Sequence, residues 1–230
     1  LVQLCSTYLH PSLLPEVIPF MLPETEDGFI SMEAYDILLE ASQKADSLII
    51  GPGLGDSQET ISLVSKLIDN IPDDIPVLID ADGLRAFSRD TKLRQNILLT
   101  PHSGELTRTT GTERFKIEEN PIIAARETAL VMNCNLLLKT VPVVISDGEK
   151  CFINSSGNPG LASGGSGDVL SGLIGGLAAQ GMEIFEAAAL GAFLHGKAAD
   201  IYAEDFPMHT LTASNIIDYL DYAFLTEGIE

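Results

Sequence analysis

Residues 156–172 read SGNPGLASGGSGDVLSG, in which six of seventeen positions are glycine and one carboxylate, Asp168, stands among them. An apolar run follows at once, so the segment reads as a glycine-rich turn entering a helix. Such a turn exposes several backbone N–H groups, and the helix dipole adds partial positive charge at the same point. Together they hold an anion without a cationic side chain. Gly164, Gly165 and Gly167 let the backbone approach a phosphate closely. A carboxylate beside that anion works against binding. It makes sense if Asp168 takes the proton from a hydroxyl that attacks phosphorus. The alternative is an aspartate that caps the helix after a flexible loop.

Other segments carry fewer signals. GPGLGD (51–56) has the spacing G-x-G-x-G rather than G-x-G-x-x-G, so it is a weak dinucleotide fingerprint. Close approach to a ligand and simple turn chemistry both fit it. Asp80 and Asp82 in VLIDADGL can hold Mg²⁺ or cap the following turn. His102 in LTPHSGE fits a structural turn or a ligand contact, and Glu105 falls in the first turn of a helix, where the dipole favours it. Lys139 closes the apolar run NLLLKT, either as a solvated strand end or as a phosphate contact in a chain with few cations. His10, His195 and His209 have no companion motif, and His195, in an alanine-rich helix, reads as packing. No HExxH or cysteine cluster argues for a structural transition metal.

These residues need elements that bring them together. SLII (47–50), VLIDA (77–81), ILLT (97–100), NLLLKT (135–140) and VVIS (143–146) read as strands, and VVISDGEKCFIN turns back at Asp147-Gly148 as a hairpin. Helical patterns lie at Met32–Lys44, Gln58–Asn70 and Pro121–Met132, then at Asp168–Gln180, Glu183–Ala203 and Ala213–Phe224. Alternating apolar strands and helices predict an α/β fold: a parallel sheet with helices on both faces, in one domain over residues 1–230. Ligands of such sheets bind outside the carboxyl ends of the strands, and the segments above fall there.

Composition narrows the partners. Of 230 residues 45% are hydrophobic, enough for a real core, and the net charge is −20, which repels nucleic acid and anionic membrane. A phosphate ligand would therefore need local positive ends or a metal ion. Cys5, Cys134 and Cys151 are odd in number and without CxxC, fitting free thiols in a reducing cytoplasm. Asn154-Ser155-Ser156 matches a glycosylation sequon by chance, with no secretory context. No uncharged apolar run approaches the ~18–20 residues of a membrane helix. The chain opens at Leu1 in a strand-like run, so N-terminal sequence is expected to be missing.

GPGLG, DADGL, LTPHSGE, LLLKT and NPGLASGGSGDVLSG, in that order, resemble the NAD(P)H-hydrate dehydratases of the ribokinase-like superfamily. The resemblance runs from about Ser47 to the C-terminus. It implies a ribokinase-like fold and repair of the hydrated cofactors NADHX and NADPHX. The S epimer would be dehydrated with cleavage of ADP, or ATP in eukaryotic members, and a phosphoryl transfer in so acidic a chain should need Mg²⁺. By motif, Gly55, His102 and Asp168 would contact the hydrate. Lys139, Thr140, Val141, Pro142 and Val143, with Gly164, Gly165 and Gly167, would contact the nucleotide. Two departures stand against the family pattern: its first strand and helix, which add a hydrate contact, are expected to be missing before Leu1, and members commonly have glycine after the lysine, where this chain has Thr140. A homo-oligomer and an upstream epimerase domain are further expectations. The rival readings are a ribokinase-like kinase for a thiazole or hydroxymethylpyrimidine, which keeps the phosphoester as product, and a non-catalytic adenine-nucleotide sensor.

Overall fold

A computed structural model of the chain describes residues 2–6 and 16–229. Strands β1 (Val2–Ser6) and β2 (Val17–Met21) form a parallel pair of their own. The main sheet holds β3 (Leu48–Ile50), β4 (Val77–Ile79), β5 (Ile97–Leu99), β6 (Asn135–Leu138), β7 (Val144–Ser146) and β8 (Cys151–Ile153), neighbours in chain order. From β3 to β6 the pairing is parallel, whereas β7 and β8 run antiparallel. The sheet is therefore mixed, with the expected hairpin at its far edge.

The helices are α1 (Tyr35–Ser42), α2 (Gln58–Ile68), α3 (Ser103–Thr110), α4 (Arg114–Glu119), α5 (Pro121–Met132), α6 (Ser166–Ala179), α7 (Ile184–Asp205) and α8 (Ala213–Thr226). Side-chain alternation along the strands sorts them into layers. Val77, Ile79, Ile97, Leu99, Leu136 and Leu138 pack against α2, α3, α4 and α5. Their neighbours Leu78, Leu98 and Leu137 face α6 and α7. Helix α8 covers α7 from outside, with Leu194, Ala198 and Tyr202 against Ile216 and Ala223. A strand buried on both faces must be apolar throughout, and each such leucine or isoleucine contributes ~1.5–3 kcal/mol of burial. That is why the strands appear as unbroken runs.

Boundaries shift where local chemistry decides them. Met32–Ala34 is a separate 3₁₀ turn before α1, and α2 ends at Ile68 rather than Asn70. Helix α5 matches its predicted span, set by Pro121 at the first position and Asn133 in the left-handed conformation after the last. Helix α6 begins at Ser166, two residues before the predicted start. Gly165 occupies the capping position at φ 82°, a conformation that costs a side chain roughly 1–2 kcal/mol. Asp168 is thus the third residue of α6, and the N-cap reading of it is excluded. The N-terminal run LVQLCST is a strand from Val2 to Ser6, as its composition suggests; α3 is the helix expected to start after His102, while β2 and α4 are elements the sequence did not mark out.

Candidate active site

The carboxyl ends of β3 to β6 and the start of α6 carry the residues singled out by type. Asp80 follows β4 and is buried. Its Oδ1 accepts from Lys139 Nζ at 2.7 Å, and its Oδ2 accepts from Ser171 Oγ at 2.8 Å. Lys139 leaves β6 with its amide donated to the Pro101 carbonyl, and it bridges His102 in parallel register. Lys139 is therefore not a free cation on a solvated strand end. One of its three N–H groups is committed to Asp80, and the ammonium retains donors for a ligand. Ser171, one helical turn after Gly167, lies inside the glycine-rich segment but was not singled out from it.

The start of α6 closes over this pair. A Cβ added to Gly167 would stand 3.7 Å from Lys139 Nζ and 3.9 Å from Asp80 Oδ2. Around it the backbone has unspent donors. The Ser166 amide donates to the Ser163 carbonyl and that of Val169 to Gly165, whereas Gly164, Gly165, Gly167 and Asp168 donate to nothing among the described residues. Ser163 Oγ is buried there with no partner among the described residues. Free amides at a helix N-terminus beside an ammonium make an anion site in a chain of net charge −20. The Asp168 carboxylate lies exposed in the same turn.

His102 proves to be both structural and accessible. It caps α3: Nδ1 accepts from the Gly104 and Glu105 amides at 2.9 and 3.3 Å, while Glu105 Oε2 accepts from the His102 amide at 2.9 Å. Accepting through Nδ1 puts the ring proton on Nε2, and Nε2 stands 3.6 Å from Glu105 Oε1 with the imidazole 56% exposed. The ring can thus donate to a ligand without losing its cap.

The Gly55 amide donates to Asp82 Oδ2 at 3.0 Å, and Asp82 Oδ1 accepts from Arg85 Nε at 3.2 Å. Asp82 thus ties the GPGLG turn to the segment after β4. Residues Thr140 to Val143 form the turn between β6 and β7. Thr140 Oγ1 donates to the Pro142 carbonyl at 2.7 Å, Val141 is fully exposed, and the Val143 carbonyl accepts from the Asn154 amide at 2.9 Å. No hydrogen bond joins this turn to Gly164–Gly167 among the described residues. Cys134 is a buried free thiol, pushed up to about 12 by burial; Cys151 is free and exposed, and Cys5 lies where side chains are not described.

Residues 5–221 match the family described as NAD(P)H-hydrate dehydratase. The chain belongs to that family. It is 41% identical over 223 residues to the bifunctional NAD(P)H-hydrate repair enzyme Nnr of Moorella thermoacetica, covering 94% of this chain and 42% of that protein. It is 37% identical over 173 residues to the ADP-dependent (S)-NAD(P)H-hydrate dehydratase of Neisseria meningitidis, covering 72% of this chain and 58% of the relative. The chain thus spans about half the length, or less, of these curated relatives. In structure it is similar to the ADP/ATP-dependent NAD(P)H-hydrate dehydratase of Bacillus subtilis co-crystallized with ATP/Mg²⁺, with TM-score 0.74 and 28% identity over 95% of this chain and 74% of that one. The fold is ribokinase-like α/β, as the motifs implied. Among the described residues no helix is long and apolar enough to cross a membrane.

Proposed function

We propose that this domain dehydrates (S)-NAD(P)HX to NAD(P)H while cleaving ADP to AMP and phosphate. The observation that carries the reading is the convergence of unspent amides at the start of α6, the Lys139 ammonium and an exposed carboxylate at one strand edge. Family membership makes the vitamin-kinase and sensor readings the weaker ones.

Hydroxide is a poor leaving group, so the hydrate's hydroxyl must first be converted. Asp168 accepts its proton as the oxygen attacks the terminal phosphorus of ADP, and the bond from that phosphorus to the bridging oxygen breaks, releasing AMP. The Gly164, Gly165, Gly167 and Asp168 amides, with Lys139, hold the charge spread over the phosphoryl oxygens. The ring nitrogen then expels phosphate from the carbon it adjoins. Loss of a proton from the next ring carbon restores the double bond of NAD(P)H. Gly55 and His102 border the edge where the nicotinamide end would lie. The turn at Thr140–Val143 borders the nucleotide.

Magnesium fits as an ion carried on the nucleotide. Among the described residues no group of three or more His, Cys, Asp or Glu side chains could hold a metal. Phosphate oxygens and water would supply most of its shell, with at most one of Asp80 and Asp168. When bound it would neutralise phosphate charge.

The Moorella relative is called bifunctional and extends well beyond the match, which supports an epimerase activity joined to this domain in a longer protein. Use of a nucleotide and a nicotinamide cofactor supports a cytoplasmic site of action. The test is recovery of NADH absorbance from NADHX with ADP and Mg²⁺. A stable phosphoester product would favour the kinase reading, and nucleotide binding without turnover the sensor.

A further inference from the structure

Behind the glycine-rich segment lies a histidine that the reaction does not use. His195, in the middle of α7, is buried, and its Nε2 stands 3.0 Å from the Ser166 carbonyl and 3.3 Å from Ser166 Oγ. A carbonyl oxygen can only accept, so the contact requires the proton on Nε2. Ser166 is the first residue of α6, directly after the left-handed Gly165 and directly before the free amides of Gly167 and Asp168.

The next residue of α7 holds the other end of the segment. A Cβ on Gly196 would fall 2.2 Å from Ser156 Oγ and 2.8 Å from the Gly157 nitrogen, so the loop lies directly on the α7 backbone. Ser156 Oγ donates to the Phe193 carbonyl at 2.7 Å. One turn on, Asp200 accepts from the Gly157 amide at 2.7 Å and from Asn158 Nδ2 at 3.0 Å. Helix α7 therefore holds residues 156–158 on one side of the arch and Ser166 on the other. The unspent amides lie on either side of its second foot.

We infer that His195 is a positioning residue for the phosphoryl site: its Nε2–H, donated to the Ser166 carbonyl, fixes the first turn of α6 so that the amides of Gly164, Gly165, Gly167 and Asp168 meet one anion. The inference rests on the phosphate-binding role given to those amides above. It concerns nucleotide binding, not the hydrate.

Three proteins test it: wild type, His195→Leu, and His195→Gln, whose amide keeps a donor. ADP affinity with Mg²⁺ is measured by calorimetry, kcat and both KM values by NADH recovery, and folding by melting. For His195→Leu the expected result is a tenfold or larger rise in ADP Kd and KM, with the KM for NADHX within twofold. His195→Gln should return ADP affinity to within about threefold of wild type. ADP binding within twofold of wild type in a folded His195→Leu protein overturns the inference, as does equal loss in both variants. If the leucine variant does not fold, ¹⁵N-histidine spectra of the wild type decide: the Nε2–H tautomer supports the inference and the Nδ1–H tautomer overturns it. Wild type that binds ADP but does not turn over NADHX would overturn the proposed reaction alone. Wild type that binds no ADP would overturn both.

Discussion

The Lys139 ammonium sits 2.7 Å from Asp80 Oδ1, joining the ends of β6 and β4 under the first turn of α6. The aspartate is 3% exposed at its side chain and the lysine 24%. Removing the lysine therefore does two things. It takes a donor from the phosphate site, and it leaves a buried carboxylate with Ser171 as its remaining side-chain partner. Stranding a buried charge costs on the order of 3 kcal/mol. Lys139→Met should lower stability to chemical denaturation by about that amount and weaken ADP as well. In the double variant Lys139→Met with Asp80→Asn, the charge is gone, so most of the stability should return while ADP affinity stays low. If affinity returns along with stability, Lys139 acts on the nucleotide only through folding.

His195 links the same site to pH. Burial lowers it from the ordinary 6.5 to about 4, opposed in part by the Ser166 carbonyl that it meets. Between those values the unfolded chain binds a proton that the folded chain refuses. Its contribution is thus fully present above pH 6.5 and drains away as pH falls toward 4. At ~1.4 kcal/mol per unit the whole effect is on the order of 3 kcal/mol. Acidification also relieves the repulsion of a −20 chain, so the informative quantity is a difference. Wild type should lose stability relative to His195→Gln across this window. Parallel curves for the two proteins would count against a buried neutral His195.

Much of the scaffold was legible because burial on both faces writes itself into the sequence. Val77–Ile79 and Ile97–Leu99 are buried at every position, and both appear as short apolar runs. Elements with little core contact were not legible. Helix α4 buries Ile117 alone, and β2 is largely exposed and contains Pro19. The antiparallel turn-back at β7 is set by strand pairing, which apolar runs do not encode. At the site, Asp168 and the glycines stood out by type and spacing. The links from Asp80 to Lys139 and to Ser171 cross 59 and 91 residues, and only the folded sheet brings those side chains together.

Magnesium dependence follows from charge. The nucleotide's phosphates must enter a chain of net charge −20 that offers one adjoining ammonium, itself shared with Asp80. Excess EDTA should abolish NADH recovery, and Mg²⁺ added beyond the chelator should restore it. Full turnover in EDTA would mean that the amides and Lys139 suffice.

Asp168 gives the most direct test of the chemistry. It is the third residue of α6, exposed, and makes no cap, so its structural contribution is its charge near the helix N-terminus. That interaction is worth ~0.3–1 kcal/mol, a small part of the stability of the fold. Asp168→Asn keeps the shape and removes the base. It should melt within a few degrees of wild type and bind ADP at least as tightly, because one negative charge beside the phosphates is gone. Turnover should fall by ~10²–10⁴, the usual worth of a positioned base. NADH recovery set beside a calorimetric titration separates the two effects. A loss of less than tenfold would remove Asp168 as the proton acceptor. The hydroxyl would then have to pass its proton to the phosphate itself.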